Sequence, residues 1–156
     1  MKKITQAELD EMLELHNGWL NDEERGVRAF FTNTDLSDLD FSNKNAEGGY
    51  FSGVSLRHTR LVGACFRYAV FEYASFDFAD LTSAYFDNAL LRDTTLRNTN
   101  LTETKFTDAK IVATDFTDVI FKNTDFTNAE IKHCIFPESV EHEEAFGLAS
   151  IHKNGG

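Results

Sequence analysis

The sequence predicts a solenoid, a rod of short stacked repeats around one continuous core, and two observations predict it. From Phe31 to Phe136 every fifth residue is Leu, Phe or Ile, with the one exception of Ala46, so 21 of 22 positions obey a single spacing. The residue two places before each of these centres is small. Twenty of the 22 are Ala, Thr, Val, Gly or Cys, and only Leu39 and Lys44 depart. Neither the 3.6-residue helical period nor strand alternation produces a clean five. Self-similarity at a short fixed period instead marks units that bury their apolar side only by stacking on their neighbours. One large and one small inward residue per unit suit a narrow, filled interior. Twelve of the fifteen phenylalanines lie in this phase. The other positions of each unit are mostly Asp, Asn, Ser, Thr, Lys and Arg, and face water.

Three segments follow from this pattern: an N-terminal cap over 1–28, the repeat rod over 29–137, and a C-terminal cap or tail over 138–156. An open solenoid leaves unpaired strand edges and an exposed core section, so its ends need covers. At the N-terminus Thr5-Gln6-Ala7-Glu8 reads as a capping box, with Ile4 and Leu9 able to form a hydrophobic staple. Leu9, Met12, Leu13 and Leu20 supply an apolar side, and Gly18 reads as a stop. The expectation is a helix over about 6–17, lying on the first coil with Trp19 inserted near Ala46. Lys44, Ala46, Gly48 and Gly49 break the pattern, so a cavity or bulge is expected over residues 44–50. After Pro137 the tail carries Phe146, Leu148 and Ile151, which either cover the last coil or pack against a second copy.

Ala79-Asp80-Leu81-Thr82-Ser83, Thr99-Asn100-Leu101-Thr102-Glu103 and Thr124-Asp125-Phe126-Thr127-Asn128 are units that carry a resemblance. They resemble the pentapeptide-repeat family, whose unit reads Ala-(Asp/Asn)-Leu/Phe-X-X, and the likeness extends over roughly 29–137 without a phase slip. Gly26-Val27-Arg28-Ala29 looks like the lead-in of some bacterial and phage members. The resemblance implies an all-β solenoid: a right-handed quadrilateral β-helix of pentapeptide repeats with a short N-terminal capping helix and a C-terminal capping segment. Four units per coil give about five and a half coils, on the order of 26 Å at the usual strand spacing. The family's gyrase-directed members resemble DNA in their acidic surface and dimerise through C-terminal ends, so a homodimer through Phe146, Leu148 and Ile151 stands beside a capping role for them.

Composition bounds the function. At 156 residues the chain is expected to be one domain. A formal net charge of −11 argues against sequence-independent nucleic-acid binding, which needs a basic surface. No apolar run approaches the ~18 residues of a membrane span. Met1-Lys2-Lys3 has no apolar stretch behind it, so no signal peptide is expected. Cys65 and Cys134 suggest neither a disulfide framework nor a metal site, and a reducing cytoplasm is the expected compartment. The five histidines are dispersed, and His142 within Glu141, Glu143 and Glu144 reads as a solvated acidic tail. No enzyme, cofactor or metal centre is expected, because a filled rod offers no concave site that gathers groups of tuned pKa.

Residues twenty apart should stack on adjacent coils. On that map Arg57 and Arg97 flank Asp77, Arg60 lies between Asp40 and Asp80, and Arg67 between Glu47 and Asp87. Glu72 meets Arg92, Lys105 meets Asp125, and Lys110 meets Glu130. Most repeat charges therefore compensate one another, at roughly 0.2–1 kcal/mol per pair before screening. Asp35 and Asp38 are left over in the first coil, and Glu103, Asp108, Asp115, Asp118 and Glu138 form a candidate acidic patch toward the C-terminal end. An apolar strip runs through Phe30, Tyr50, Val70 and Leu90, with Tyr73 on the same face and Tyr68 at its edge. An exposed apolar strip marks a contact surface unless the chain's own N-terminal segment covers it. Two functions follow. One is a non-enzymatic protein-binding module using Tyr50, Tyr68, Val70, Tyr73 and Leu90 or the acidic end; the other is a DNA-mimicking modulator of DNA gyrase, another type II topoisomerase or another DNA-binding protein. No loop interrupts the coils, unlike some quinolone-resistance members, which weighs against the second.

Overall fold

The computed structural model describes residues 1–138, 140 and 145–147, and shows a parallel β-solenoid of about five turns behind one short helix. The chain turns four corners per twenty residues, so each side of the rod repeats every twentieth residue. The first side is a six-stranded parallel sheet: β2 (Phe30–Thr32), β4 (Tyr50–Ser52), β5 (Val70–Glu72), β6 (Leu90–Arg92), β7 (Lys110–Val112) and β9 (Glu130–Lys132). The other three sides are ladders of single bridges, such as Ser55↔Ser75 on the second, Arg60↔Asp80 on the third and Cys65↔Tyr85 on the fourth.

The five-residue unit explains this geometry. Its centre points inward, and Phe31, Phe51, Phe71, Leu91 and Ile111 on the first side are all buried. On the other three sides the centre's carbonyl accepts from the N–H three residues on, as in Ala64 to Leu61 at 3.0 Å and Ala69 to Phe66 at 3.1 Å. The third residue of such a turn takes positive φ, the mark of a type II turn. All 21 corner residues from Asn33 to His133 have φ between 48° and 68°. Where the small inward position is Thr, its hydroxyl is spent on a backbone carbonyl. Thr59 donates to Leu36 O at 3.0 Å, Thr104 to Leu81 O at 2.7 Å and Thr124 to Leu101 O at 2.6 Å, so no buried polar atom is wasted there.

Helix α1 (Gln6–Leu20) caps the N-terminal end. Thr5 and Glu8 form the capping box, and Ile4 and Leu9 are buried as a staple requires. The helix runs past the expected stop. Gly18 lies inside it, and its lack of a side chain serves a close backbone approach by Gly26, where a Cβ would come within 2.2 Å of Trp19 N. Leu9 and Leu13 join the core at the first coil. The first coil needs no bulge at 44–50. Asn45 bridges to Cys65 in register, Gly49 N–H donates to Ala46 O at 2.9 Å, and the Phe51 ring takes up the space beside Gly49. Trp19 is not inserted at Ala46. Its ring lies beside Gly48, 3.7 Å from the point a Cβ there would occupy, and remains 39% exposed.

Both ends also gain a parallel strand that the repeat does not announce. Strand β1 (Lys2–Lys3) pairs with β3 (Thr34–Asp35), and β10 (Ala145–Phe146) pairs with β8 (Thr124–Asp125). After β10, Gly147 takes φ of +80°, and a Cβ there would lie 2.6 Å from the backbone of Phe126 and Thr127.

The Phe71 ring stacks on Phe51 at 4.6 Å and meets Phe66 and Phe76 edge-on at 5.3 and 5.0 Å. Phe71→Ala should therefore cost about 3–5 kcal/mol. Urea unfolding reads this directly, and a loss under about 1 kcal/mol would contradict a continuous ring-packed core.

Candidate functional site

The column Phe30, Tyr50, Val70 and Leu90 faces outward on the first side of the rod. Phe30 is 57% exposed, while Tyr50, Val70 and Leu90 in the next three coils are half-buried. Phe30 and Tyr50 stack at 4.9 Å, and the Tyr50 hydroxyl donates to Glu72 Oε2 at 3.1 Å. The column ends where Lys110 and Glu130 replace the apolar residues. Helix α1 does not lie on this strip. Its contacts go to the end of the first coil, through Gln6 to Asp40, Asp10 to Lys44 and His16 to Glu47.

Tyr68 and Tyr73 occupy the two corners that bracket β5, with φ of 59° and 53°, and are 59% and 66% exposed. The next corner carries Phe78, φ 64°, which is 46% exposed and was not among the expected residues. His58, one coil below, stacks on Phe78 at 5.0 Å, and the Arg57 guanidinium lies 5.4 Å from that ring. The signal for Phe78 was present in the sequence: with Phe30, it is one of the three phenylalanines that fall outside the run of core centres. Thirteen of the 21 corners are Asn, Asp or Gly, the residues that tolerate left-handed backbone. Large aromatic rings at three consecutive corners of one coil are the opposite of what the backbone prefers.

The charge ladder forms in part. Arg57 meets Asp77 at 3.0 Å, Arg97 meets Asp77 at 3.6 Å, Arg67 meets Asp87 at 3.5 Å and Arg92 meets Glu72 at 3.5 Å. Asp77 is nearly buried and also accepts the Arg97 backbone N–H at 3.0 Å, so its role is structural. Arg60 stands in register with Asp40 and Asp80, and Lys105 with Asp125, without close ion pairs among the described residues. Glu130 pairs with Lys132 at 2.6 Å instead of Lys110, which holds its carboxyl below the usual range. Two acids expected to be unmatched have partners. Lys3 in β1 meets Asp38 at 3.3 Å, and Asp35 accepts from Ser37, whose hydrogen bonds lower its pKa.

The acidic candidates do not converge on one side. Asp115 faces outward on the second side and contacts Arg97 at 3.6 Å. Asp118 is at the corner between the second and third sides, with Glu138 one coil further along the same column. Glu103 stands at the next corner, accepting from Ser83 at 3.1 Å, and Asp108 at the corner after that. Of the dimer candidates, Phe146 contributes backbone to β10, and Leu148 and Ile151 lie outside the described residues.

A shallow groove of about 330 Å³ runs along the third and fourth sides, lined by Ser83, Tyr85, Glu103, Lys105, Asn123 and Asp125. Burial pushes both thiols, Cys65 and Cys134, above their ordinary pKa, so they stay protonated and weakly nucleophilic. Among the described residues no three His, Cys, Asp or Glu side chains gather to hold a metal ion, and no helix is long and apolar enough to cross a membrane.

The family model described as pentapeptide repeat region matches residues 69–146, and that described as pentapeptide repeats (8 copies) matches 34–72 and 50–86. No curated protein matches the chain. Among solved structures, alr5209, a pentapeptide repeat protein from Nostoc Pcc 7120, is 23% identical with a TM-score of 0.63, over 84% of this chain and 98% of that one. Rfr23, a pentapeptide repeat protein from the cyanobacterium Cyanothece 51142, is 14% identical with a TM-score of 0.57, over 80% and 93%. QnrB1, a plasmid-mediated fluoroquinolone resistance protein, is 13% identical with a TM-score of 0.55, over 76% and 72%. At these identities the likeness is one of fold.

If the corner tyrosines are carried for display, replacing them should relieve the backbone. Tyr68→Asn and Tyr73→Asn are each expected to raise stability, by about 1 kcal/mol or less. Thermal melts test this, and a loss of stability in both would mean that the rings support the fold.

Proposed function

Because the chain belongs to the pentapeptide-repeat family, we propose that it is a non-catalytic protein-binding module that works in the cytoplasm. The partner sits on the first side of the rod, over Tyr50, Val70 and Leu90, with Tyr68 and Tyr73 as its rims. One observation carries this reading: exposed aromatic rings fill three consecutive left-handed corners, Tyr68, Tyr73 and Phe78, where the backbone favours Asn or Gly. Tyrosine is enriched at binding hot spots because one end is apolar and the other can hydrogen-bond. The rigid sheet beneath holds these rings in fixed positions, so little ordering entropy is lost on binding.

A second reading makes the rod a DNA mimic directed at DNA gyrase, another type II topoisomerase or another DNA-binding protein. It rests on the net charge of −11 and on the acids Glu103, Asp108 and Asp118 at corners toward the C-terminal end, with Glu138 beyond them. The fold shared with QnrB1, a fluoroquinolone resistance protein, is compatible with it. A homodimer joined at the C-terminal end would lengthen such a rod. The distribution of these acids over three corners and the Arg97 contact to Asp115 favour the aromatic surface as the primary site.

Affinity capture from bacterial lysate at low and high salt separates the two readings. Wild type is compared with Tyr68→Asn/Tyr73→Asn and with Asp108→Lys/Asp118→Lys. A partner retained at high salt and lost at least tenfold only in the tyrosine variant is the expected result. A salt-sensitive DNA-binding enzyme lost only in the lysine variant would replace it with mimicry, since charge-driven contacts weaken as salt screens them.

A further inference from the structure

The N-terminal cap is fastened by a buried histidine. His16 has no exposed surface, and both of its ring nitrogens face backbone groups of the first coil. Nδ1 accepts the Ala29 N–H at 2.9 Å, which leaves Nε2 to carry the proton and donate to the Glu47 carbonyl at 2.9 Å. The ring thus joins the helix both to the segment entering the first coil and to the segment closing it. The bond from Ala29 requires the neutral imidazole, because a second proton would sit on Nδ1 and confront the Ala29 N–H donor to donor.

We infer that His16 is an acid-released latch, whose protonation frees helix α1 from the first coil and uncovers that end of the rod.

The surroundings support this. Trp19 stacks on the imidazole at 5.3 Å, and Arg28 lies 5.8 Å from the indole, adding positive charge near the site. Glu47 is the carboxylate nearest in charge terms and favours protonation, while burial and Arg28 oppose it; burial is the largest influence and holds the folded ring below its ordinary value. The open state therefore takes up the proton first. The latch is at full strength above about pH 6.5 and weakens as pH falls below it. The closed-to-open ratio drops by up to about tenfold per pH unit until the ring in the closed state itself titrates.

Four hydrogen-bonded carboxylates of the cap and first coil are already ionised in this range. Glu8, Asp10 and Asp40 are all held below the usual carboxylate values by hydrogen bonds, from Thr5, from Lys44 and Gln6, and from Ser42 respectively. Asp35 is lowered in the same way by Ser37. Acid between pH 6.5 and 5 thus acts on the cap through His16 and leaves Glu8, Asp10, Asp35 and Asp40 ionised.

Hydrogen exchange of the full chain, corrected for intrinsic rates, reads the latch between pH 7.5 and 5. Amides of residues 6–20 should lose protection about tenfold or more over that range while the amides of Phe71 and Leu91 keep theirs. Trp19, the only tryptophan, should shift to the red over the same interval. His16→Gln, which cannot titrate yet offers both a donor and an acceptor, should remove the pH step. Helix protection that does not change with pH in the wild type, or a step that persists in His16→Gln, overturns the proposal. If His16→Gln loosens the cap at every pH, an NMR titration of the wild-type ring decides. A ring that titrates in this range while helix protection stays constant also overturns it.

Discussion

Everything in this rod depends on a coincidence of two lengths. Parallel strands in a ladder lie about 4.8 Å apart, and aromatic rings stack face to face at nearly that distance. Phe31, Phe51 and Phe71 are spaced 5.2 and 4.6 Å between ring centres, and Phe66, Phe86, Phe106 and Phe126 are spaced 5.2, 5.1 and 4.9 Å. A column of identical side chains can therefore follow the backbone ladder without accumulating mismatch. This is why one spacing can persist along the chain, and why core side chains such as Phe71 and Phe86 have essentially no exposed surface. A slip of one residue would turn each inward ring toward water and each charged neighbour into the core. The period is thus a register constraint as much as a burial pattern.

The same constraint leaves the surface free to vary, but not the corners. Each corner needs left-handed backbone, which Asn, Asp and Gly accept at little cost. Asn33, Asn43, Asn88, Asn98, Asn123 and Asn128 follow that rule. Tyr68, Tyr73 and Phe78 do not, and they are gathered in the third coil instead of scattered. Conflict between local preference and the residue present is where function is most readily sought. Phe78 has partial structural compensation, since His58 and Arg57 pack on its ring. The two tyrosines have no ring contact among those seen in the described residues, which makes them the better markers of a contact surface.

The core and the ladder were legible because both depend on residue spacing alone. Phe51, Leu56, Leu61 and Phe66 can be assigned to four successive sides by counting. The helix was legible from Thr5, Glu8 and Leu9, although its end was not, because Gly18 looks like a stop until Gly26 is seen packed against it. Ala46 suggested a defect for a similar reason: the ring that fills the space beside Gly49 belongs to its neighbour Phe51. Strands β1 and β10 lie outside the run of repeats, and their parallel pairing is a backbone match that residue spacing does not announce. The strip at Tyr50, Val70 and Leu90 could be read as a column, but the strain at its rims depends on φ, which no residue count supplies. His16 was one of five dispersed histidines until its two hydrogen bonds set it apart.

The two ends of the rod solve one problem by different chemistry. An open ladder must satisfy the N–H and C=O groups of its last coil. At the C-terminal end β10 covers Thr124–Asp125 with backbone, which does not titrate. At the N-terminal end β1 covers only part of the first coil, and side chains act as surrogate strands for the rest. Gln6 donates to Asp40 O and accepts from Asp40 N–H, both at 2.8 Å, as a paired strand residue would. His16 does the same between Ala29 and Glu47. A carboxamide keeps its donor and acceptor at any pH, whereas an imidazole has an acceptor only while neutral. Of the two surrogates, only the histidine makes the cover conditional, and it stands at the corner where the helix, the chain's entry into the first coil and that coil's closing segment meet. A rod whose core is insensitive to pH therefore has one end whose closure is not.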